Sequence, residues 1–255
     1  MNWFGLGRGA TVLIAMGLLA FAVDAGAQRG GGGVAPPAPA GPPIDLTGYW
    51  VSLVTDDWRY RMVTPPKGNV DFLPLNAEGR RVASEWDPAK DEAAGEQCKA
   101  YGAVGVMRLP GRLHITWENE TTLRIDTDAG SQTRRFHLGG SPAPAGEPSW
   151  QGHSMAQWER PGGAVGRGQQ GVGQLKVVTK GMRPGYLRKN GVPYSQNAVL
   201  TEYFVRLTDD DGAEYLAVTA FLDDPQYLIQ PYIRTVQFKK LPSQTGWAPT
   251  PCSAR

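Results

Sequence analysis

Reactive side chains are scarce in this chain, which has 2 Cys and 3 His among 255 residues. With both thiols accounted for by one pairing and no His near either, a catalytic cysteine is not expected. His114, His137 and His153 lack the short helical spacing of zinc enzymes. Asp126-x-Asp128-x-Gly130 begins like a calcium loop, but its twelfth position is His137 where a bidentate Glu is needed. No metal and no cofactor is therefore read. Charge of one sign is also lacking: 26 Lys and Arg face 24 Asp and Glu. No global field draws the chain to nucleic acid or to an anionic membrane. No apolar run is long enough to span a bilayer; the longest, residues 11–23, has 13 residues, against the roughly 20 required. Gly-x-Ser-x-Gly, Ser-x-x-Lys and paired catalytic carboxylates are all missing.

Glycine and proline are abundant instead. The 33 Gly and 21 Pro make about a fifth of the chain, against roughly 12% in ordinary proteins. Each interior Gly costs a helix about 1 kcal/mol and each Pro about 3, so a helical bundle is excluded. Residues 1–27 read as a secretory signal, with Arg8, the apolar run and Ala25-Gly26-Ala27 before Gln28. Its removal would leave no integral membrane span and send the protein to the periplasm or outside the cell. Residues 28–43 are a Gly/Pro/Ala-rich tether with nothing to bury, and residues 44–255 form a single domain. Residues 162–173 contain Gly166-x-Gly168-x-x-Gly171. A dinucleotide site needs a strand before this pattern and a helix after it, so the stretch is read as a Gly-rich hairpin loop.

The domain reads as all-β and mainly antiparallel. β-branched and aromatic runs recur over 46–53, 58–63, 112–117, 122–127, 133–138, 153–159, 174–180, 200–207, 214–222 and 232–240. Their spacing fits a barrel or closed meander with one short helix, at 74–86, which Asn76 would cap. Cys98 and Cys252 form an even pair in a chain sent to an oxidising compartment, so a disulfide is expected. It would pin the C-terminal tail to the segment after the helix, contributing roughly 4–5 kcal/mol on the chain-entropy model.

Alternation assigns faces. Leu113, Ile115, Leu123, Ile125, Phe136 and Leu138 take one side of three successive strands, while His114, Arg124, Asp126, Arg135 and His137 take the other. That polar set is either the solvent side of a sheet or the lining of an anion-binding or acid/base cavity. Both readings stay open.

Asp45-Leu46-Thr47-Gly48-Tyr49-Trp50 resembles the Gly-x-Trp opening strand of lipocalin-type barrels, in which the Trp closes the barrel floor. Over most of the domain the chain resembles a group of secreted bacterial β-proteins without an assigned activity. The shared pieces are Trp150-Gln151-Gly152-His153-Ser154, Trp158-Glu159, Thr201-Glu202, Asp223-Asp224-Pro225 and a terminal Cys252. The group carries Pro-His-Ser-Glu where this chain has Pro193-Tyr194-Ser195-Gln196. The resemblance points to His153.

Three functions follow as expectations. The first is an exported barrel binding a small apolar or aromatic molecule, walled by Trp50, Trp117, Trp150 and Trp158, with His114, Asp126, Arg135 and His137 as polar contacts. The second is a lyase, hydratase or isomerase with His153 as acid/base, supported by Glu159, Glu202 and Asp223. The third is a structural or assembly role in the cell envelope.

Overall fold

The computed structural model describes residues 42–140, 147–160 and 173–255. The signal and the tether, apart from Pro42 and Pro43, lie outside the described residues, as does the Gly-rich loop apart from Gly173. The first element among the described residues is strand β1 (Gly48–Leu53), followed by a helical excursion through α1 (Trp58–Arg61), α2 (Ala77–Ser84), α3 (Pro88–Ala93) and α4 (Ala103–Val106). Strands β2 (Arg112–Asn119), β3 (Thr122–Thr127), β4 (Thr133–Leu138), β5 (His153–Glu159) and β6 (Gln174–Lys180) follow. A small ribbon of β7 (Gly185–Arg188) and β8 (Val192–Tyr194) precedes β9 (Val199–Thr208), β10 (Glu214–Asp223) and β11 (Tyr232–Leu241).

Nine of these strands close into a barrel in the order β1-β11-β10-β9-β6-β5-β4-β3-β2. The inward positions predicted by alternation are buried: Leu113, Ile115, Leu123, Ile125 and Phe136 pack with Trp50, Phe204 and Phe238. Burying each such side chain contributes about 1.5–3 kcal/mol. A second apolar cluster, including Leu75, Val104, Leu187, Tyr194 and Leu222, seats the helical excursion and the β7–β8 ribbon on one end of the barrel. Among the described residues no helix is long and apolar enough to cross a membrane. Cys98 and Cys252 are bonded, with an S–S distance of 2.09 Å across 154 residues of sequence. The tail is thereby fixed just ahead of the 3-10 turn Lys99–Tyr101.

The pairing departs from a pure meander at one place, because β4 and β5 run parallel. Neighbours in a closed ring can alternate in direction throughout only if the strand number is even. Nine strands force a parallel pair, and this barrel differs in both respects from the eight-stranded up-and-down lipocalin form.

The helical content also exceeds the single expected helix. Asn76 caps α2 as predicted, its Oδ1 accepting from Gly79 N at 2.8 Å. Pro88, just past that helix, opens α3, where its missing N–H costs nothing and Asp87 supplies the cap. Residues 58–63, expected as a strand, form α1 and its cap. The segment turns there to bury the Arg61 guanidinium, which donates to Arg108 O at 2.9 Å, Ser52 Oγ at 2.8 Å and Asp56 Oδ1 at 3.0 Å.

Candidate functional site

The polar set from β2–β4 lies on the outer face of the barrel, opposite the buried core positions. His114 stacks on Tyr49 with ring centroids 4.0 Å apart, and Trp247 of the C-terminal tail meets both edge-on. Asp126 is held by Arg124 at 2.9 Å and by Thr133, and Arg135 pairs with Glu118 at 2.7 Å. His137 stacks on His153 at 4.9 Å. Partial burial, then the neighbouring His153 and Arg135, pull the His137 imidazole pKa below its ordinary value.

The tryptophans divide. Trp50 is fully buried and its indole Nε1 donates to Leu46 O at 3.0 Å, so it is part of the core. Trp117 and Trp158 are partly buried against that core. Trp150 lies in the connection between β4 and β5, with the Arg183 guanidinium 4.1 Å above its ring.

The four residues expected to act together in catalysis are not brought together. His153 and Glu159 point outward, Glu159 accepting from Gln157 and Gln174. Glu202 points inward and is 1% exposed, paired with Arg134. Asp223 is exposed at the end of β10. Its neighbour Asp224 is the buried acid, accepting from Ser195 N at 2.7 Å and Ser195 Oγ at 2.8 Å to tie two loops together.

Sequence reasoning singled out Arg124 and Arg135 but passed over Arg134 and Arg188. Arg134, fully buried, reaches Glu202 through Nη1 at 2.9 Å and Nη2 at 2.5 Å inside the barrel. Its signal was its phase, since it shares the apolar face with Phe136 and Leu138. Beside Glu202 a void of about 20 Å³, bordered by Met107, Arg108, Tyr232 and Arg234, has room for about one water.

At the helical end, four guanidiniums gather around two carboxylates. Arg61 pairs with Asp56, and both Arg108 and Arg234 pair with Asp57. Arg188, on β7, has no carboxylate partner among the described residues. It is 3% exposed, its Nη2 donates to Asp71 O at 3.3 Å, and its Nε and Nη1 are buried without a hydrogen bond. The Tyr60 ring lies 4.3 Å from its guanidinium. Burial, and then Arg108, pull the Arg188 pKa down. A cavity of about 20 Å³ lies against Arg188, lined also by Tyr60, Arg61, Val63, Arg108 and Lys189.

The wider cleft between α2, α3 and Tyr186, about 360 Å³, is different in kind. Its Lys99 is paired with both Asp91 at 2.7 Å and Glu96 at 2.5 Å, and Tyr186 donates to Asp91 at 2.8 Å.

The ribbon that carries Arg188 had a readable signal in Asn190-Gly191, a hairpin dipeptide. No protein-family model, curated protein or solved structure matches this chain.

Proposed function

We propose that this protein binds a small organic anion, a carboxylate or phosphate carrying an apolar portion, at the helical end of its barrel. The observation that carries the reading is Arg188, a buried guanidinium with two nitrogens unbonded and no acidic partner among the described residues. A buried charge left unneutralised costs several kcal/mol, and the local set of four arginines against two aspartates holds an excess of positive charge. An anion removes that cost, and the planar fork of arginine suits carboxylate and phosphate oxygens.

The size of the cavity says which part of a ligand enters it. About 20 Å³ admits little more than one oxygen, so the rest of the molecule lies outside. There Val63 and Phe72 are 68% and 79% exposed, with Trp58 and Met62 on the same segment. Phe72 packs edge-on to Tyr60 at 6.5 Å and holds a left-handed backbone, φ 62°, which an aromatic residue rarely adopts. Strain of this kind gathers at ligand clamps. The apolar ligand expected from sequence is retained in its tail, while its place moves from the barrel interior, which Trp50, Phe136, Phe204 and Phe238 fill, to the mouth. Export is part of the same reading, supported by the signal-like first 27 residues and by the disulfide.

Calorimetric titration with acetate, octanoate, inorganic phosphate and octyl phosphate tests this. Octanoate or octyl phosphate should bind more tightly than its short counterpart, and Arg188→Met should weaken binding at least tenfold. Failure of all four to bind, or affinity unchanged in Arg188→Met, removes the proposal.

A further inference from the structure

The outer face carries a second group of side chains that the anion site does not use. We propose that His137, His153 and Met155 form a surface site for a soft monovalent metal ion, copper(I). Two of the chain's three histidines meet here, and the parallel pairing of β4 with β5 is what joins them. His137 sits opposite Met155 in the register, and His153 lies two residues before Met155 on the same face.

The spacing suits a metal. His153 Nε2 lies 3.2 Å from Met155 Sδ, and the two imidazole rings stack with centroids 4.9 Å apart. A metal bound to nitrogen at about 2.0 Å and to sulfur at about 2.3 Å holds those atoms roughly 3.0–3.7 Å apart at angles of about 90–120°. The His153–Met155 pair is already at that separation, and rotation of the His137 ring out of the stack brings a second nitrogen in. Buried Thr122 places its Oγ1 3.4 Å from His137 Nδ1, which leaves Nε2 as the free ligand atom. A hydrogen bond to the ring nitrogen that does not bind the metal orients such a histidine.

The donors and their surroundings select the ion. A thioether with imidazoles favours copper(I) over harder ions. Among the described residues no three His, Cys, Asp or Glu side chains converge to hold a metal, so a carboxylate-rich divalent site is not what this face offers. Glu118 on β2 is taken by Arg135 at 2.7 Å, and Lys180 stands opposite His153 on β6. Two cations and one anion around the site weigh against a dication more than against a single charge. All three donors are partly exposed, so an ion reaches them without unfolding.

Silver(I), a redox-inert stand-in for copper(I), gives a direct test because both cysteines are in the disulfide and no thiol competes. The oxidised full chain in chloride-free buffer is titrated with silver nitrate, followed by calorimetry and by NMR of the Met155 methyl and the His ring carbons. The expected result is one tight equivalent that shifts Met155, His137 and His153 together. His153→Ala and Met155→Leu should each weaken it at least tenfold, and Met155→Leu should abolish the preference for silver over zinc. The wild-type NMR shifts decide the matter even if a variant folds poorly. Silver binding that leaves these three residues unshifted, or zinc bound more tightly than silver by the wild type, overturns the proposal.

Discussion

Arg134 and Glu202 face one another within a barrel filled mainly by aromatic and aliphatic side chains, and neither is more than 1% exposed. Removing one partner strands the other charge. Glu202→Gln or Arg134→Met should each lower stability by about 3–5 kcal/mol, whereas replacing both with Met and Leu should be far less costly than either alone. Denaturant melts of the three variants check this; a double variant as unstable as the singles would show that the core depends on the bonded geometry itself. The pair also marks where sequence reading stops at this scale. Glu202 was singled out for catalysis, and Arg135 for ligand contact, yet the residue that matters to Glu202 is Arg134, one position away and on the other face. Its partner is 68 residues distant, and no local spacing announces such a match. Arg188 was missed for the same reason, since its significance lies in partners it lacks.

At the scale of elements, strands with strict alternation were legible. Residues 122–127, 133–138, 153–159 and 174–180 form strands with the bounds that their pattern implied. Alternation failed where burial is not apolar. Trp58, Met62 and Val63 look like strand residues but are exposed, while Arg61 is buried by hydrogen bonds that no hydropathy pattern encodes. The β7–β8 ribbon was overlooked because its strands are only four and three residues long. Its turn depends on Gly191, at φ 81°, where an added Cβ would stand 2.2 Å from Trp86 Cβ. Gly181, at φ 66°, has open space around it. Gly181→Ala should therefore cost only the left-handed backbone, about 1–2 kcal/mol. Gly191→Ala should cost more and, by displacing the ribbon that carries Arg188, should weaken organic-anion binding as well. Thermal melts paired with octanoate titration separate the two. Equal losses in both variants would mean that Trp86 yields freely and that the ribbon is not a rigid support.

Over the whole molecule, closure and the tail act together. The barrel class was legible because it needs only a count of alternating strands, but the parallel β4–β5 joint, a consequence of odd strand number, was not. The C-terminal tail leaves β11 and crosses the outside of β1 and β2, with Arg112 Nε donating to Thr245 O at 3.1 Å, Trp247 against Tyr49 and His114, and Thr250 N donating to Asp128 O at 2.8 Å. Cys252 then bonds to Cys98 in the helical excursion, so one covalent link joins the cap to a tail that straps the barrel wall. Closing a loop of 154 residues constrains the unfolded chain by about 5 kcal/mol on the entropy model. If the tail belongs to the same cooperative unit as the barrel, replacing both cysteines with serine should lower the global unfolding free energy by several kcal/mol. Amide exchange at Ile125 and Phe136 should then accelerate by the matching factor. If the tail is only a strap, Thr250 alone should lose protection while the core amides hold theirs. The contacts to β1, to β2 and to Asp128 just past β3 favour the first outcome, because the tail cannot leave without exposing the Tyr49–His114 stack that it covers.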